Sequence, residues 1–201
     1  MIYPITKWQA DAPVIDKKET LRYMGVRAKM TPELEALADK GIQKVQELAI
    51  CRGCYTRIPI EIIDDTHISI VKEVIECRHL CRHMQGCTEA FLMAATVGYN
   101  VDRLIRATAT YSPADSLAID AAGSAAVEWV CDELNKHIAA IAEEEGKTLC
   151  RRFSPGYGDF PLEYQQSMSI LLNMPITLGI ILSNNLMMSP TKSVTAIIGI
   201  K

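Results

Sequence analysis

The sequence predicts a single α+β domain in which an antiparallel or mixed sheet packs against long helices. Long stretches with apolar residues at helical spacing are interspersed with short stretches in which apolar and polar residues alternate. The chain contains no internal repeat, no low-complexity tract and no clear linker. Its 201 residues are enough to bury a core. We therefore expect one domain spanning residues 1–201.

The composition argues against two classes of function. Hydrophobic residues make up 49% of the chain and charged residues 22%, as in ordinary soluble domains. A net charge of −3 argues against a protein that binds nucleic acid by neutralising phosphates. No run reaches the ~18 apolar residues that span a membrane, and Met1-Ile2-Tyr3-Pro4 has no basic region followed by an apolar one. We therefore expect a cytoplasmic protein that binds neither nucleic acid nor a membrane.

The first part of the chain predicts two helices. Residues 1–15, which include two prolines, are expected to be irregular. Asp16 is a suitable N-cap for a short helix that ends at Gly25. Thr31-Pro32-Glu33 combines a capping side chain, a proline at the first helical position and an acid in the first turn. Apolar residues then continue at helical spacing, which predicts a second helix to about Ile50.

A change of period at Tyr55 predicts the first strands. Isoleucines at alternate positions flank Asp64-Asp65-Thr66, a pattern typical of a β-hairpin. The polar stretch 71–84 indicates a helix, and the apolar run 89–98, which ends in glycine, indicates a buried strand. The later predicted elements are helices over 101–109 and 162–173, strands over 176–182 and 193–200, and turns at 184–185 and 189–192.

The longest predicted helix lies in the middle of the chain. Ser112-Pro113-Ala114-Asp115 supplies its start signals, and Glu143-Glu144-Glu145-Gly146 ends it. The stretch Ala121–Ala126 has little side-chain bulk, so another backbone can approach this helix closely.

The segment Arg151–Pro161 follows this helix and is rich in functional groups. Two prolines and two glycines in eleven residues exclude an ordinary helix or a central strand. The segment also carries two arginines, aromatic side chains and an acid. A rigid polar and aromatic loop between two helices is well suited to hold a small ligand. The alternative is a connector with turn chemistry and no chemical role.

An ordered set of motifs begins in this loop. Arg152–Tyr157 has the form R-x-x-x-G-Y, and a predicted helix, Gly179–Ser183, Met187–Pro190 and Lys192–Gly199 follow it. Together these motifs resemble the reactivation (activation) domain of cobalamin-dependent methionine synthase, in particular the small stand-alone proteins of that superfamily. The resemblance covers roughly residues 115–200 and is looser over 89–114. It divides the chain into N-terminal helices plus a hairpin (1–88) and an activation-domain-like core (89–201).

The resemblance implies the fold of that domain and an S-adenosylmethionine site in the loop. It places Arg152, Ser154 and Tyr157 at ligand-contacting positions, with Gly156 in the same motif. Their chemistry fits, because an arginine can pair bidentately with the ligand's carboxylate and a glycine lets backbone approach it. The alternative for Arg152 is an ion pair with Glu144 or Glu145.

Two acids are candidates to meet the ammonium or the sulfonium of the ligand. Glu128 interrupts an apolar stretch of the long helix, and the family has a glutamate at the matching position. The alternative for Glu128 is an exposed helix residue. Asp159 is the second candidate, and its alternative is a cap of the turn.

The function implied by the resemblance is the reactivation component of a cobalamin-dependent methionine synthase, a methyltransferase component of methionine biosynthesis. It would bind S-adenosylmethionine for reductive methylation of cob(II)alamin carried by a partner subunit, with a flavodoxin-like electron donor. The family's C-terminal tyrosine-bearing segment and its N-terminal acidic contact have no counterpart in this sequence. These departures motivate an alternative, a corrinoid-protein binding partner without S-adenosylmethionine activity.

The cysteines suggest a third hypothesis, a Cys/His metal-binding protein. The seven cysteines include Cys51 and Cys54 in a C-x-x-C motif, and a cluster formed by Cys77, His79, Cys81, His83 and Cys87. Thiolates and imidazoles bind zinc or iron–sulfur clusters. However, a second C-x-x-C is missing, and an odd number of cysteines without an export signal fits reduced thiols. The favoured interpretation is reduced core cysteines and surface histidines, with no metal.

Overall fold

The computed structural model describes residues 3–26 and 31–201. Within them the helices are Lys17–Tyr23 (α1), Pro32–Leu48 (α2), Arg78–His83 (α3), Tyr99–Ala109 (α4), Pro113–Glu144 (α5), Tyr164–Leu171 (α6) and Met174–Thr177 (α7). The strands are Thr6–Gln9 (β1), Arg52–Ile62 (β2), His67–Ile70 (β3), Glu73–Glu76 (β4), Glu89–Thr96 (β5), Ile181–Leu182 (β6), Met188–Ser189 (β7) and Ser193–Ile200 (β8). These elements form a single α+β domain, as the sequence predicts.

The main sheet is antiparallel throughout, with strand order β4-β3-β2-β5-β8, and β1 pairs with β2 beside it. The long strand β2 pairs with β5 over 52–59 and continues beyond β5 to form a hairpin with β3. The last strand, β8, pairs with β5 along its whole length, from Ser193 opposite Thr96 to Ile200 opposite Glu89. This order places β8 at one end of the sheet.

Alternate residues of the central strands face two different cores, because successive side chains of a strand point to opposite faces. Phe91 and Met93 of β5 lie in a core with residues of α2 and α5, which we call the α5 face of the sheet. Leu92 of β5 lies in a second core with residues of α3, α6 and α7, which we call the α6 face. The helices therefore cover both faces of the sheet.

The long helix α5 packs closely against its neighbours, as its small residues predict. It contacts α1, α2 and α4. At the crossing with α2, a Cβ atom placed on Gly41 would lie 2.7 Å from the backbone carbon and oxygen of Ala118. Glycine at this position is therefore required by the close approach of two backbones.

The predicted helix starts are confirmed by side-chain caps. The carboxylate of Asp16 accepts hydrogen bonds from the backbone N–H groups of Lys18 and Glu19. The side chains of Thr31 and Ser112 cap α2 and α5, accepting from the N–H groups of Leu34 and Asp115. Local sequence signals thus set the first turn of each of these helices.

The predicted helix over 71–84 is wrong in its first half. Val71 and Lys72 form a two-residue turn with φ of 52° and 79°, and β4 then pairs with β3. Positive φ at both positions is the geometry of a tight hairpin turn that asparagine and glycine usually occupy. Neither residue stands here, so the sequence carries no hairpin signal. The helix begins only at Arg78, after its N-cap Cys77.

The predicted strand over 176–182 is also largely wrong. Pro175 lies in the first turn of the short helix α7, where its fixed φ favours a helix. Only Ile181 and Leu182 form a strand, which pairs with β7 as a small hairpin. The prediction of irregular chain over residues 1–15 is wrong at Thr6–Gln9, which form strand β1. Residues 1 and 2 of that stretch lie outside the described residues.

Candidate ligand-binding site

The loop that follows α5 is hydrogen-bonded to the edge of β8 that does not pair with β5. The backbone N–H of Cys150 donates to the carbonyl oxygen of Gly199 at 2.9 Å. Phe153 and Ile197 exchange two backbone hydrogen bonds, each of 2.9 Å. The residues of the R-x-x-x-G-Y motif therefore start from a strand-like anchor on the sheet, which holds them in a defined position.

The rest of the loop is a compact turn that requires a glycine. Gly156 has a φ of 88°, a region that side-chain-bearing residues rarely adopt, and its N–H donates to the carbonyl of Phe160 at 2.8 Å. The N–H of Tyr157 donates to the carbonyl of Ser154 at 3.1 Å. At the end of the turn, the buried ring of Phe160 packs against the ring of Tyr164, with centroids 5.3 Å apart. The turn is thus hydrogen-bonded internally and supported by aromatic packing.

A cavity of about 440 Å³ lies between this loop and β8. Such a volume is within the range of small-molecule sites. The cavity lies at the edge of the sheet, with α5 contributing from one face and α6 from the other. Its lining consists of Glu128, Arg152, Phe153, Ser154, Pro155, Tyr157, Gln165, Met188, Ser193, Val194 and Thr195.

Four of the six predicted site residues line this one cavity: Glu128, Arg152, Ser154 and Tyr157. Gly156 does not line it but shapes the turn between Ser154 and Tyr157. The structure thus brings together a helix residue and loop residues that are 24 or more positions apart in the chain.

Arg152 forms its ion pairs with α5. Its Nη2 lies 3.4 Å from Oε2 of Glu128. Its Nη1 lies 2.9 Å from Oδ1 of Asp132, although the angle does not make a directed hydrogen bond. The alternative pairing of Arg152 with Glu144 or Glu145 is wrong, since its ion pairs are with Glu128 and Asp132, and Glu145 binds the guanidinium of Arg57 at 2.7 Å. The cavity therefore has a cation and an anion side by side in its wall.

Glu128 is both a residue of the cavity wall and a partly exposed helix residue, the two interpretations that the sequence allows. Its side chain is 51% exposed, yet it lines the cavity and faces Arg152, whose side chain is only 23% exposed. The carboxylate of Glu128 can therefore exchange the guanidinium of Arg152 for a cationic group of a ligand. Because Glu128 is half-exposed, this exchange does not leave it as an unpaired buried charge.

Asp159 points away from the cavity. Its carboxylate accepts hydrogen bonds from the thiol of Cys77 at 2.8 Å and from the backbone N–H groups of Arg78 and His79 at the start of α3. The Cys77 hydrogen bond, followed by those backbone donors, lowers the pKa of this carboxyl group. The contacts correspond to the capping alternative, except that Asp159 caps a distant helix and not its own turn.

Several lining residues were not singled out by the sequence as site residues. Gln165 belongs to α6, and Ser193, Val194 and Thr195 belong to β8. The start of β8 is fixed by the buried Asp102, which accepts hydrogen bonds from the N–H and the hydroxyl of Thr191 at 2.7 and 2.9 Å. Only the tertiary fold brings this strand end next to the loop.

The C-x-x-C motif is divided between the two faces of the sheet. Cys51 lies in the core of the α5 face and Cys54 in the core of the α6 face, so the C-x-x-C thiols are on opposite sides of the sheet. Burial raises the pKa of Cys51 to about 11 and that of Cys54 to about 12. Within residues 3–26 and 31–201, no three histidine, cysteine or acidic side chains are grouped to hold a metal ion.

The comparisons with known proteins give a structural match. No protein-family model matches the chain, and a search of curated proteins returns no significant match. Among solved structures, the chain is similar to the MetH reactivation domain bound to AdoHcy, with a TM-score of 0.73 and 15% sequence identity. The match covers 98% of this chain and 78% of that one, and shows that the fold is that of a methionine synthase activation domain.

Within the described part of the chain, no helix has the length and apolarity needed to cross a bilayer.

Proposed function

We propose that the cavity binds S-adenosylmethionine and that the chain serves as the reactivation component of a cobalamin-dependent methionine synthase. The observation that carries this proposal is the cavity itself. The R-x-x-x-G-Y loop places Arg152, Ser154 and Tyr157 in one cavity with Glu128. The fold around it is shared with a reactivation domain solved with S-adenosylhomocysteine.

The ion pair in the cavity wall suits the amino-acid end of this ligand. S-adenosylmethionine carries a carboxylate and an ammonium on one carbon atom. The guanidinium of Arg152 can take the carboxylate bidentately, and Glu128, 3.4 Å from it, can take the ammonium. Because each protein charge exchanges one opposite partner for another, binding leaves no uncompensated charge in the site.

The rest of the cavity suits the nucleoside. Phe153, Pro155, Met188 and Val194 supply apolar surface for the faces of a purine. Tyr157 is 71% exposed, so its ring lies at the rim of the cavity. It can cover the ligand or contact a partner protein above it.

In this proposal the chain contributes proximity and orientation to a methyl transfer. The methyl group leaves the sulfonium of S-adenosylmethionine, and S-adenosylhomocysteine remains in the cavity. One electron from a flavodoxin-like donor and this methyl group together convert the partner's cob(II)alamin into methylcobalamin. Arg152 and Glu128 would hold the amino-acid end of the ligand in this cavity.

A remethylation assay tests this function. The chain is mixed with a cobalamin-bearing methionine synthase subunit that lacks a reactivation domain, S-adenosylmethionine and a one-electron reductant. We expect loss of the cob(II)alamin absorbance to accelerate with the wild-type chain and not with Arg152→Ala. S-adenosylmethionine binding without acceleration would contradict the reactivation role. Binding to the subunit without S-adenosylmethionine binding would favour the alternative, a corrinoid-protein partner.

A further inference from the structure

Gln165 places an unpartnered polar atom in the wall of the cavity. The residue is 7% exposed, and its amide oxygen Oε1 is buried without a hydrogen-bond partner among the described residues. Buried acceptors in native proteins are nearly always paired, because leaving one unpaired forfeits the hydrogen bonds it makes in water. A molecule bound in the cavity can therefore supply the hydrogen-bond donor that this oxygen lacks.

The position of Gln165 selects the part of the ligand that it can reach. It belongs to α6, on the opposite face of the sheet from α5, which carries Glu128. The charged pair of Arg152 and Glu128 therefore marks one side of the cavity and Gln165 the other. In a ligand that joins an amino acid to a nucleoside, the base lies at the end remote from the charges.

We propose that Gln165 is a specificity-determining residue that reads the edge of the adenine base. Its Oε1 accepts a hydrogen bond from the exocyclic amino group, and its Nε2 donates to the adjacent ring nitrogen. A primary amide matches adenine in this bidentate way because each partner offers one donor beside one acceptor. This inference rests on the proposed function, since it takes the ligand to be S-adenosylmethionine or S-adenosylhomocysteine.

The amino group of the base is the feature to vary. Isothermal titration calorimetry compares S-adenosylhomocysteine with its purine analogue, in which hydrogen replaces the exocyclic amino group. Wild type is expected to bind S-adenosylhomocysteine roughly 10-fold or more tightly than the analogue, which leaves Oε1 unpaired. In Gln165→Met, which keeps the length of the side chain but has no amide, this preference should fall to about 1. Gln166→Met, the same change at the exposed neighbour, should keep the wild-type preference.

Stability separates recognition from a structural role. Because Oε1 is unpaired in the free protein, an apolar side chain of similar volume should leave the ligand-free melting temperature unchanged or raise it. Equal loss of affinity for both ligands together with a lower melting temperature would indicate a structural role and overturn the inference. Retained preference in Gln165→Met, or no preference in wild type, would also overturn it. A wild-type chain that binds neither ligand would overturn the proposed function as well.

Discussion

Glu128 faces Arg152 across the cavity wall, and the proposed site depends on both charges. We expect Glu128→Gln to weaken binding of S-adenosylhomocysteine about 10-fold, because a hydrogen bond between two charged groups becomes one with a neutral amide. Calorimetry measures this change. Glu133→Gln is the matched control, since Glu133 lies on the same helix, pairs with Lys136 and does not line the cavity. Equal effects of both variants would contradict the role given to Glu128.

The residues of the site differ in how far the sequence predicts them. Arg152 and Tyr157 stand in a motif, and Glu128 is a charge within an apolar helical face, so each carries a local signal. Gln165 carries none, because a glutamine in a polar helical stretch looks like a surface residue. Its burial depends on the cavity wall that the loop and β8 build next to α6.

Asp159, in contrast to Gln165, is a residue that the sequence predicts for the site but that does not line the cavity. Its place in the loop suggests a ligand contact, whereas its carboxylate binds the start of α3 some 80 residues earlier in the chain. A loop sequence specifies its turns but not which neighbouring element lies beside it.

At the scale of elements, the crossing of α2 and α5 is a testable contact. Gly41→Ala places a methyl group 2.7 Å from the backbone of Ala118. Overpacking typically costs ~1–3 kcal/mol, more than the ~0.5–1 kcal/mol that alanine gains over glycine in a helix. We therefore expect a net loss of about 1 kcal/mol in the free energy of unfolding, measured by urea denaturation.

The control for this prediction lies on the exposed side of α2. Gln43→Ala changes a solvent-facing residue of the same helix and should alter the free energy of unfolding by no more than about 0.5 kcal/mol. If Gly41→Ala is as stable as wild type, the two backbones do not approach as closely as the structure shows.

The elements with capping residues and helical spacing were predicted well, and those that depend on tertiary pairing were not. Asp16, Thr31 and Ser112 cap helices where the sequence places them. Strand β4 is stabilised by pairing with β3. The turn between them, Val71-Lys72, contains no asparagine or glycine that would predict a hairpin. The short strands β6 and β7 likewise exist through pairing with each other.

At the scale of the molecule, a charge cluster ties the sheet to the end of α5. Arg57 of β2 binds Glu89 of β5 at 2.6 Å and Glu145 at 2.7 Å, and Lys147 lies 2.9 Å from Glu145. The hydrogen bonds of Arg57 and then Lys147 lower the pKa of Glu145 to about 2, and Arg57 lowers that of Glu89. The folded state thus binds fewer protons than the unfolded state in acid.

This cluster predicts how stability depends on pH. A lowered carboxyl pKa stabilises the fold fully above the unfolded pKa of about 4.3, and the stabilisation is lost as pH falls toward the folded value. Wild type should therefore lose stability between about pH 4.5 and 2. Glu145→Gln should be less stable at pH 7 and show a shallower slope over this window, measured by denaturant unfolding at each pH. Parallel curves for the two proteins would contradict the role of Glu145.

The fold class follows from the sequence because helical and alternating periods report local structure directly. The assembly of the site does not, because it requires the order of strands that puts β8 at the edge of the sheet and the loop along it. The resemblance in the R-x-x-x-G-Y motif and the structural match to a reactivation domain both indicate the same fold.

The central claim is that Arg152 holds the carboxylate of S-adenosylmethionine in this cavity, and calorimetric titration with S-adenosylhomocysteine tests it most directly. Wild type should bind, and Arg152→Ala should weaken binding at least about 30-fold, because a largely buried partner of the charge is removed. Arg151→Ala removes the exposed neighbouring arginine and should bind like wild type. No binding by wild type, or equal losses in the two variants, would contradict the account.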